Sequence, residues 1–161
     1  MRFVPTSAAA HSAKCELAAD VLRSWGRLRL GVTGWSMFPS IRPGDTLLIE
    51  LSHHHDVVGG DIVLFFREHR LFAHRAVGRN HDDSRILTRG DAMRREDPPV
   101  NEAELLGKVT LIWRGGKCSE PPKSPGALER VVAAIVGRFE LAARLVVVVY
   151  GLIRSRQGQT V

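Results

Sequence analysis

The sequence predicts a mainly β fold, in which a β-rich domain is flanked by an N-terminal and a C-terminal helix. Between residues 28 and 113, short apolar runs alternate with clusters of glycine, proline and aspartate, a pattern typical of strands joined by turns. Outside that stretch, apolar residues recur at helical spacing. A chain of 161 residues suits one such domain, with a core large enough to fold without disulfides.

The first 30 residues predict a tail followed by an amphipathic helix over residues 12–25, with Ser12 as its N-cap. The apolar residues that recur at helical spacing are Leu17, Val21, Leu22, Trp25 and Leu28. Residues 1–10 lack the apolar core of a secretory signal and are not a transmembrane anchor. We therefore expect neither at this end.

The central domain is predicted over residues 31–115. Its predicted strands are 28–32, which leads towards Ser36, and then 45–51, 61–67, 71–77, 86–88 and 105–113. The predicted turns are 43–45, 68–70 and 80–84. The segment 52–56, with three consecutive histidines at 53–55, predicts an exposed loop. A metal site is disfavoured there, because adjacent residues on one loop rarely converge on one ion.

Residues 116–126 are rich in proline and glycine and predict a linker, after which residues 127–161 predict an apolar helix and a tail. The run 145–153 carries no charge but is shorter than the roughly 20 residues of a membrane span. Extending it back to residue 131 includes Arg138, Glu140 and Arg144, each costing roughly 2.5–3.5 kcal/mol near the bilayer centre. We expect this helix to pack on the domain, a membrane surface or a partner rather than to span.

The composition narrows the function class. The net charge of +6 comes mainly from arginine, which suits a solvated basic surface or an anionic membrane. No helix-turn-helix, zinc-finger or basic-aromatic pattern predicts a nucleic-acid partner. The cysteines, Cys15 and Cys118, could form a disulfide, but nothing in the sequence requires one and we expect two free thiols. They form no Cys-x-x-Cys pair that would suggest zinc, and we expect neither a metal nor a cofactor.

The most informative feature is an ordered set of chemical groups. Ser36 supplies a hydroxyl, His74 an imidazole, and Asp91 and Asp97 supply carboxylates. Serine is a poor nucleophile without an adjacent base, and imidazole, with an ordinary pKa near 6.5, suits that task. His74 is the favoured histidine because apolar neighbours place it on a predicted strand, whereas the others, apart from His11, fall in predicted loops. These are the groups of a hydrolytic serine site.

In order and spacing, this set resembles the signal-peptidase family of serine proteases over roughly residues 31–114. The Ser-Met-x-Pro box of that family corresponds to residues 36–39, and its Gly-Asp-x-Val strand to residues 60–63. A basic residue before arginine corresponds to His74 and Arg75, and the late Gly-Asp box to residues 90–91. Histidine in the base position is similar to the archaeal and endoplasmic-reticulum type, not to the common bacterial Ser-Lys type.

The resemblance implies a signal-peptidase-like, mostly β catalytic domain. It also implies that Ser36 is the nucleophile, His74 the base and Asp97 the third triad member, with Asp91 in support. The implied partner is a peptide or protein substrate, a leader or signal segment with small residues before the cut. A membrane-associated or a cytoplasmic location both remain open.

The resemblance also marks residues around the nucleophile. The Ser36 N–H is the implied first oxyanion donor, but Gly34 stands where many members of the family carry a hydroxyl. Trp35 and Met37 flank the serine on the implied substrate side. Trp35, together with Phe38, either lines a substrate groove or anchors the core.

Two other interpretations remain. A non-catalytic peptide-binding or regulatory relative with the same fold is favoured by Gly34 and by the lack of an N-terminal anchor. A relative of the self-cleaving repressors is less favoured. Those proteins use a Ser-Lys pair, and no lysine precedes Arg75 here.

Overall fold

The computed structural model describes residues 7–80 and 85–124. One α-helix, α1 (Ser7–Trp25), and one 3₁₀ helix (His54–Asp56) lie within that part of the chain. The strands are β1 (Arg27–Gly31), β2 (Thr46–Leu51), β3 (Ile62–Arg67), β4 (Arg70–Arg79), β5 (Ile86–Arg89), β6 (Leu105–Arg114) and β7 (Lys117–Ser119). The prediction of a mainly β fold is confirmed.

All pairings between these strands are antiparallel, and they form a 7-stranded sheet. The strand order is β1-β2-β6-β3-β4-β5, with β7 pairing β6. Register shifts occur between Leu48 and Ile49, between Leu64 and Phe65, and between Ala76 and Gly78. Such bulges bend a strand and increase its twist, so they let this sheet curve around its core.

Two groups of buried side chains form the core. The larger group joins α1 to the sheet and includes Leu22, Leu47, Ile49 and Leu106. The smaller group is centred on Phe65 and lies against β4 and β5. Fully burying one such aliphatic side chain contributes roughly 1.5–3 kcal/mol, so these groups dominate the stability of the fold.

The hairpin that joins β3 to β4 brings His74 into the sheet. Its turn residues, Glu68 and His69, have φ of 51° and 58°, which is the left-handed region. Two such residues between paired strands match the twist of a two-residue hairpin. The register then sets Arg67 opposite Arg70 and Val63 opposite His74. His74 therefore lies within the sheet and not at a loop tip.

The face that the helix buries overlaps the predicted apolar face at Leu22 but is otherwise formed by other residues. Cys15, Ala19 and Leu22 are buried, whereas Leu17 and Trp25 are 64% and 78% exposed. The stripe at 15, 19 and 22 also follows helical spacing. Its small side chains at 15 and 19 leave room for the helix to approach the sheet. The helix also extends further than predicted, since it begins at Ser7.

Four further segments differ from the predictions or lie beyond the described chain. Strand β7 falls inside the predicted linker 116–126, and the 3₁₀ helix falls inside the predicted histidine loop. The predicted helix and tail over 127–161, and most of the predicted turn 80–84, lie outside the described residues. Among the described helices, none is long and apolar enough to cross a membrane.

Candidate active site

Ser36 lies in a loop, not at the end of a strand as predicted. Strand β1 ends at Gly31, and Val32 closes the base of the loop by donating to Asp45 O (2.9 Å) and accepting from Gly44 N–H (2.9 Å). Within the loop, the Ile41 N–H donates to Met37 O at 3.0 Å. Ser36 is half-buried in this loop.

The neighbours of Ser36 divide between core and surface. Met37 is 3% exposed and packs in the larger core group, so it anchors the loop. Trp35 and Phe38 are both half-buried, with ring centroids 5.5 Å apart and planes tilted by 52°. They form a partly exposed aromatic pair beside the serine.

An ion pair between a buried aspartate and a more exposed arginine fixes the far end of the same loop. The side chain of Asp45 is 3% exposed and accepts two hydrogen bonds from Arg114 of β6, at 2.6 and 2.9 Å. It also accepts the Arg42 N–H at 2.8 Å, while Arg114 donates to Ser40 O at 2.9 Å. A two-pronged guanidinium–carboxylate pair is geometrically specific, so it holds the loop against β6.

The His74 imidazole joins Ser36 from β4. Its Nε2 lies 2.9 Å from Ser36 Oγ, and its side chain is only 7% exposed. The rings of Phe65 and Phe72 each contact the imidazole edge-on, with centroids 6.0 Å away. This aromatic packing restricts the ring, so the Nε2–Oγ contact has a fixed direction.

Asp97 contacts the other nitrogen of the imidazole. The distance between His74 Nδ1 and Asp97 Oδ2 is 2.7 Å. The same oxygen accepts the Thr88 hydroxyl at 2.7 Å, and the Asp97 N–H donates to Thr88 O at 2.8 Å. The structure thus brings together the hydroxyl, imidazole and carboxylate that the sequence predicted as a triad.

Asp91 forms hydrogen bonds to Arg75 rather than to the imidazole. Arg75 donates to both carboxylate oxygens, at 2.8 and 2.7 Å, and the two side chains are 6% and 4% exposed. Arg75 also donates to Gly60 O (2.9 Å) and to Pro122 O (2.6 Å). The predicted support from Asp91 therefore takes the form of a buried ion pair that joins three segments behind the site.

The loop that carries both aspartates also contacts Ser36 directly. The Ala92 N–H donates to Ser36 O at 2.9 Å. A Cβ on Gly90 would lie 2.5 Å from Ser36 O and 2.8 Å from Met93 Cγ, far inside contact distance. Only glycine lets the two loops approach this closely.

Arg67 secures the chain beyond Asp97. It donates to Pro98 O (3.0 Å) and Pro99 O (3.1 Å), and it pairs with Glu104 through two hydrogen bonds. The hydrogen bonds from Arg67 hold the pKa of the Glu104 carboxyl below its usual value, against the opposing effect of partial burial. The ionised pair fixes the exit of the loop.

Two of the described lysines, Lys108 and Lys123, contact Asp61. Asp61 accepts hydrogen bonds from Lys123 at 2.7 Å, from Lys108 at 3.4 Å and from the Val58 N–H at 3.1 Å. Burial raises the pKa of Asp61, but these donors and the two positive charges outweigh it and leave the pKa lowered. Within this part of the chain, the base that contacts Ser36 is the histidine.

The residue two positions before Ser36 is Gly34, which carries no hydroxyl side chain. Gly34 is exposed, and a Cβ built on it would meet no heavy atom within 4 Å. The position therefore has room for a larger residue.

No metal site accompanies this constellation in residues 7–80 and 85–124, where no group of three or more His, Cys, Asp or Glu residues could hold an ion. The rings of His53 and His55 stack with centroids 5.6 Å apart, and both residues are exposed.

The sequence analysis did not identify Thr88 as part of the site. It also did not predict which residues Arg75 contacts. The sequence held a signal for Thr88. Alternation along β5 places it on the same face as Ile86, which packs in the core. A hydroxyl on a buried face needs a polar partner.

The comparisons with known proteins add no assignment to this geometry: no protein-family model matches the chain, and no curated protein matches it.

Proposed function

We propose that this chain is a serine endopeptidase of the signal-peptidase type, which cleaves a leader or signal segment after small residues. The observation that carries the proposal is the continuous line of contacts Ser36 Oγ–His74 Nε2 (2.9 Å) and His74 Nδ1–Asp97 Oδ2 (2.7 Å). The hydroxyl contacts the imidazole and the imidazole contacts the carboxylate, which is the arrangement that serine proteases use. The Ser-Met-x-Pro and Gly-Asp boxes add the resemblance to this family.

In the proposed acylation, Ser36 Oγ attacks the scissile carbonyl carbon while His74 Nε2 takes the hydroxyl proton. Asp97 accepts the Nδ1–H, which leaves the Nε2 lone pair facing the serine and stabilises the imidazolium that forms. The imidazolium then gives its proton to the leaving amine nitrogen. The C–N bond breaks, and the acyl group remains on Ser36 as an ester.

Deacylation repeats these roles with water. A water molecule gives a proton to His74 Nε2 as its oxygen attacks the ester carbonyl. The tetrahedral intermediate collapses, the carboxyl product leaves, and Ser36 Oγ takes the proton back. Protons and bonds balance over the cycle, so the reaction needs no cofactor.

The developing oxyanion needs preorganised donors, and the Ser36 N–H is the proposed first one. A second donor from the side chain two positions earlier is absent because that residue is Gly34. Loss of one oxyanion donor costs roughly 10²–10³-fold in kcat in a well-studied serine protease. We therefore propose that this enzyme has a lower kcat than members of the signal-peptidase family that carry the hydroxyl.

Active-site labelling tests the proposal without a known substrate. A fluorophosphonate probe should modify wild-type protein at Ser36, located by peptide mass spectrometry. Ser36→Ala should abolish labelling with little change in the thermal melt, and His74→Ala should slow it by about 10³-fold or more. Ser24→Ala, at an exposed serine of α1, is the matched control and should label like wild type.

Labelling that persists in Ser36→Ala would show that another group is the nucleophile. A folded wild-type protein that does not label would favour the second candidate, a non-catalytic peptide-binding relative. The missing hydroxyl at Gly34 is the observation that favours this candidate. Peptide binding without cleavage, measured by calorimetry against a set of leader-like peptides, would then support it.

A further inference from the structure

Thr88 has a position that core packing alone does not explain. Its residue surface is 0% exposed, and its hydroxyl donates to Asp97 Oδ2 at 2.7 Å. That oxygen is also the one that lies 2.7 Å from His74 Nδ1. Because a carboxylate only accepts hydrogen bonds, two donors converge on one oxygen atom from β4 and β5.

We propose that Thr88 is a positioning residue of the triad, whose hydroxyl holds the Asp97 carboxylate in line with the imidazole. This inference rests on the proposed function and deepens it. The Asp97 side chain is 23% exposed, so water competes for its oxygens and one contact to His74 leaves the carboxylate free to turn. The buried Thr88 hydroxyl supplies the second contact that defines its plane.

The main chain reinforces the same pairing. The Asp97 N–H donates to Thr88 O at 2.8 Å, so the residues are joined by their backbones as well as by their side chains. Threonine is branched at Cβ, which restricts its side-chain rotation, and burial restricts it further. The hydroxyl therefore has a fixed direction before any substrate binds. Such support around a reacting group is what keeps it in productive geometry.

Two substitutions separate positioning from packing. Thr88→Val keeps the shape and removes the donor, whereas Thr88→Ser keeps the donor and removes a methyl group. We expect Thr88→Val to slow fluorophosphonate labelling of Ser36 by about tenfold or more, and Thr88→Ser to stay within about threefold of wild type. A pure packing role predicts the opposite ranking. Thr88→Ala replaces the valine variant if that variant does not fold.

A double-substitution cycle tests whether Thr88 acts through Asp97. In the Asp97→Asn background, Thr88→Val should cost less than about twofold further, because the carboxylate that it orients is gone. Losses that multiply in full would overturn the inference. So would a Thr88→Val protein that labels at the wild-type rate.

Proton NMR supplies a readout that does not need turnover. The His74 Nδ1 proton, shared with a carboxylate, should give a low-field resonance in wild type and in Thr88→Ser. In Thr88→Val it should broaden or move upfield. A wild-type protein that shows this pattern but never labels would refute the proposed function and retain the positioning role. An unchanged resonance in Thr88→Val would refute the positioning role alone.

Discussion

Removing the charge of each of the two aspartates near the site should have a different effect on the protein. Asp97 contacts the imidazole at 2.7 Å, whereas Asp91 contacts Arg75 at 2.7 and 2.8 Å. We therefore expect Asp97→Asn to lower the reaction rate with little loss of stability. Asp91→Asn should lower stability, with the smaller loss of rate.

The magnitudes follow from burial and charge. A hydrogen bond to a charged group contributes roughly 1.5–3 kcal/mol, which sets a loss of about 10–150-fold for Asp97→Asn. Loss of the correct imidazole tautomer adds to this, up to about 10⁴-fold in the chymotrypsin-type triad. We expect a loss of at least about a hundredfold. Asp91→Asn leaves the Arg75 charge buried without its partner, which costs roughly 3–5 kcal/mol and lowers the melting temperature by roughly 6–20 °C.

The assay measures two quantities on each variant, the rate constant of fluorophosphonate labelling and the melting temperature by circular dichroism. Labelling is recorded well below the melting temperature of the weaker variant, so that unfolding does not imitate a loss of rate. If Asp91→Asn lowers the labelling rate more than Asp97→Asn does, Asp91 and not Asp97 would be the triad member. Small and equal losses would mean that neither carboxylate assists the imidazole.

Three other substitutions test the loop contact at Gly90, the proposed oxyanion position at Gly34 and the ion pair of Glu104, with Gly34→Ala as a control. Gly90→Ala should slow labelling about tenfold or more, because its Cβ would lie 2.5 Å from Ser36 O; Gly34→Ala, which meets no atom within 4 Å, is the control and should behave like wild type. Gly34→Ser should raise the labelling rate severalfold if its hydroxyl supplies the second oxyanion donor, and a rate equal to that of Gly34→Ala would contradict this. Glu104→Gln should cost about 1–3 kcal/mol at pH 7 in urea unfolding. The pKa of Glu104 is lowered in the fold, so this contribution is complete above the unfolded pKa of about 4.3 and disappears as pH falls below it. A gap between Glu104→Gln and wild type that stays constant from pH 7 to pH 3 would exclude the ion pair as its source.

The strands were predictable because alternation and turn residues are local signals. The predicted strand 61–67 and the turn after it match β3 and the hairpin almost residue for residue. Ser36 and His74 were also singled out from sequence because each lies in a recognisable box, and Asp97 because of its spacing from Asp91. Their mutual distances were not predictable, because they depend on register between strands that are far apart in the chain.

Contacts between side chains that are far apart in the chain were not predictable from the sequence for the same reason. Arg75 and Asp91 meet because β4 and the loop after β5 lie side by side, which no local pattern encodes. The buried face of α1 was predicted only in part, at Leu22, because two apolar stripes with helical spacing share that residue and only contact with the sheet selects one. The predicted linker contains β7 because its residues pair with β6 across a tight turn.

Side chains from both faces of strand β4 contact the loop that carries the two aspartates. Successive side chains leave a strand on opposite faces, so His74 and its neighbour Arg75 point to different sides of the sheet. Phe72 and His74 contact Phe65 in the smaller core group, whereas Ala73 packs on the larger one. The loop after β5 is thus held from both faces, by Arg75 through Asp91 and by His74 through Asp97.

This two-sided attachment links stability to geometry at the site. The ion pair on one face has both partners nearly fully buried, so it fixes the loop without touching the reacting groups. The contact on the other face then needs only to orient an imidazole that aromatic rings already enclose. The Ala92 N–H of the same loop donates to Ser36 O, so that loop contacts Ser36 as well as both faces of β4. A change at Arg75 should therefore disturb the positions of Ser36 and Asp97 through this loop, although no hydrogen bond joins its side chain to either residue.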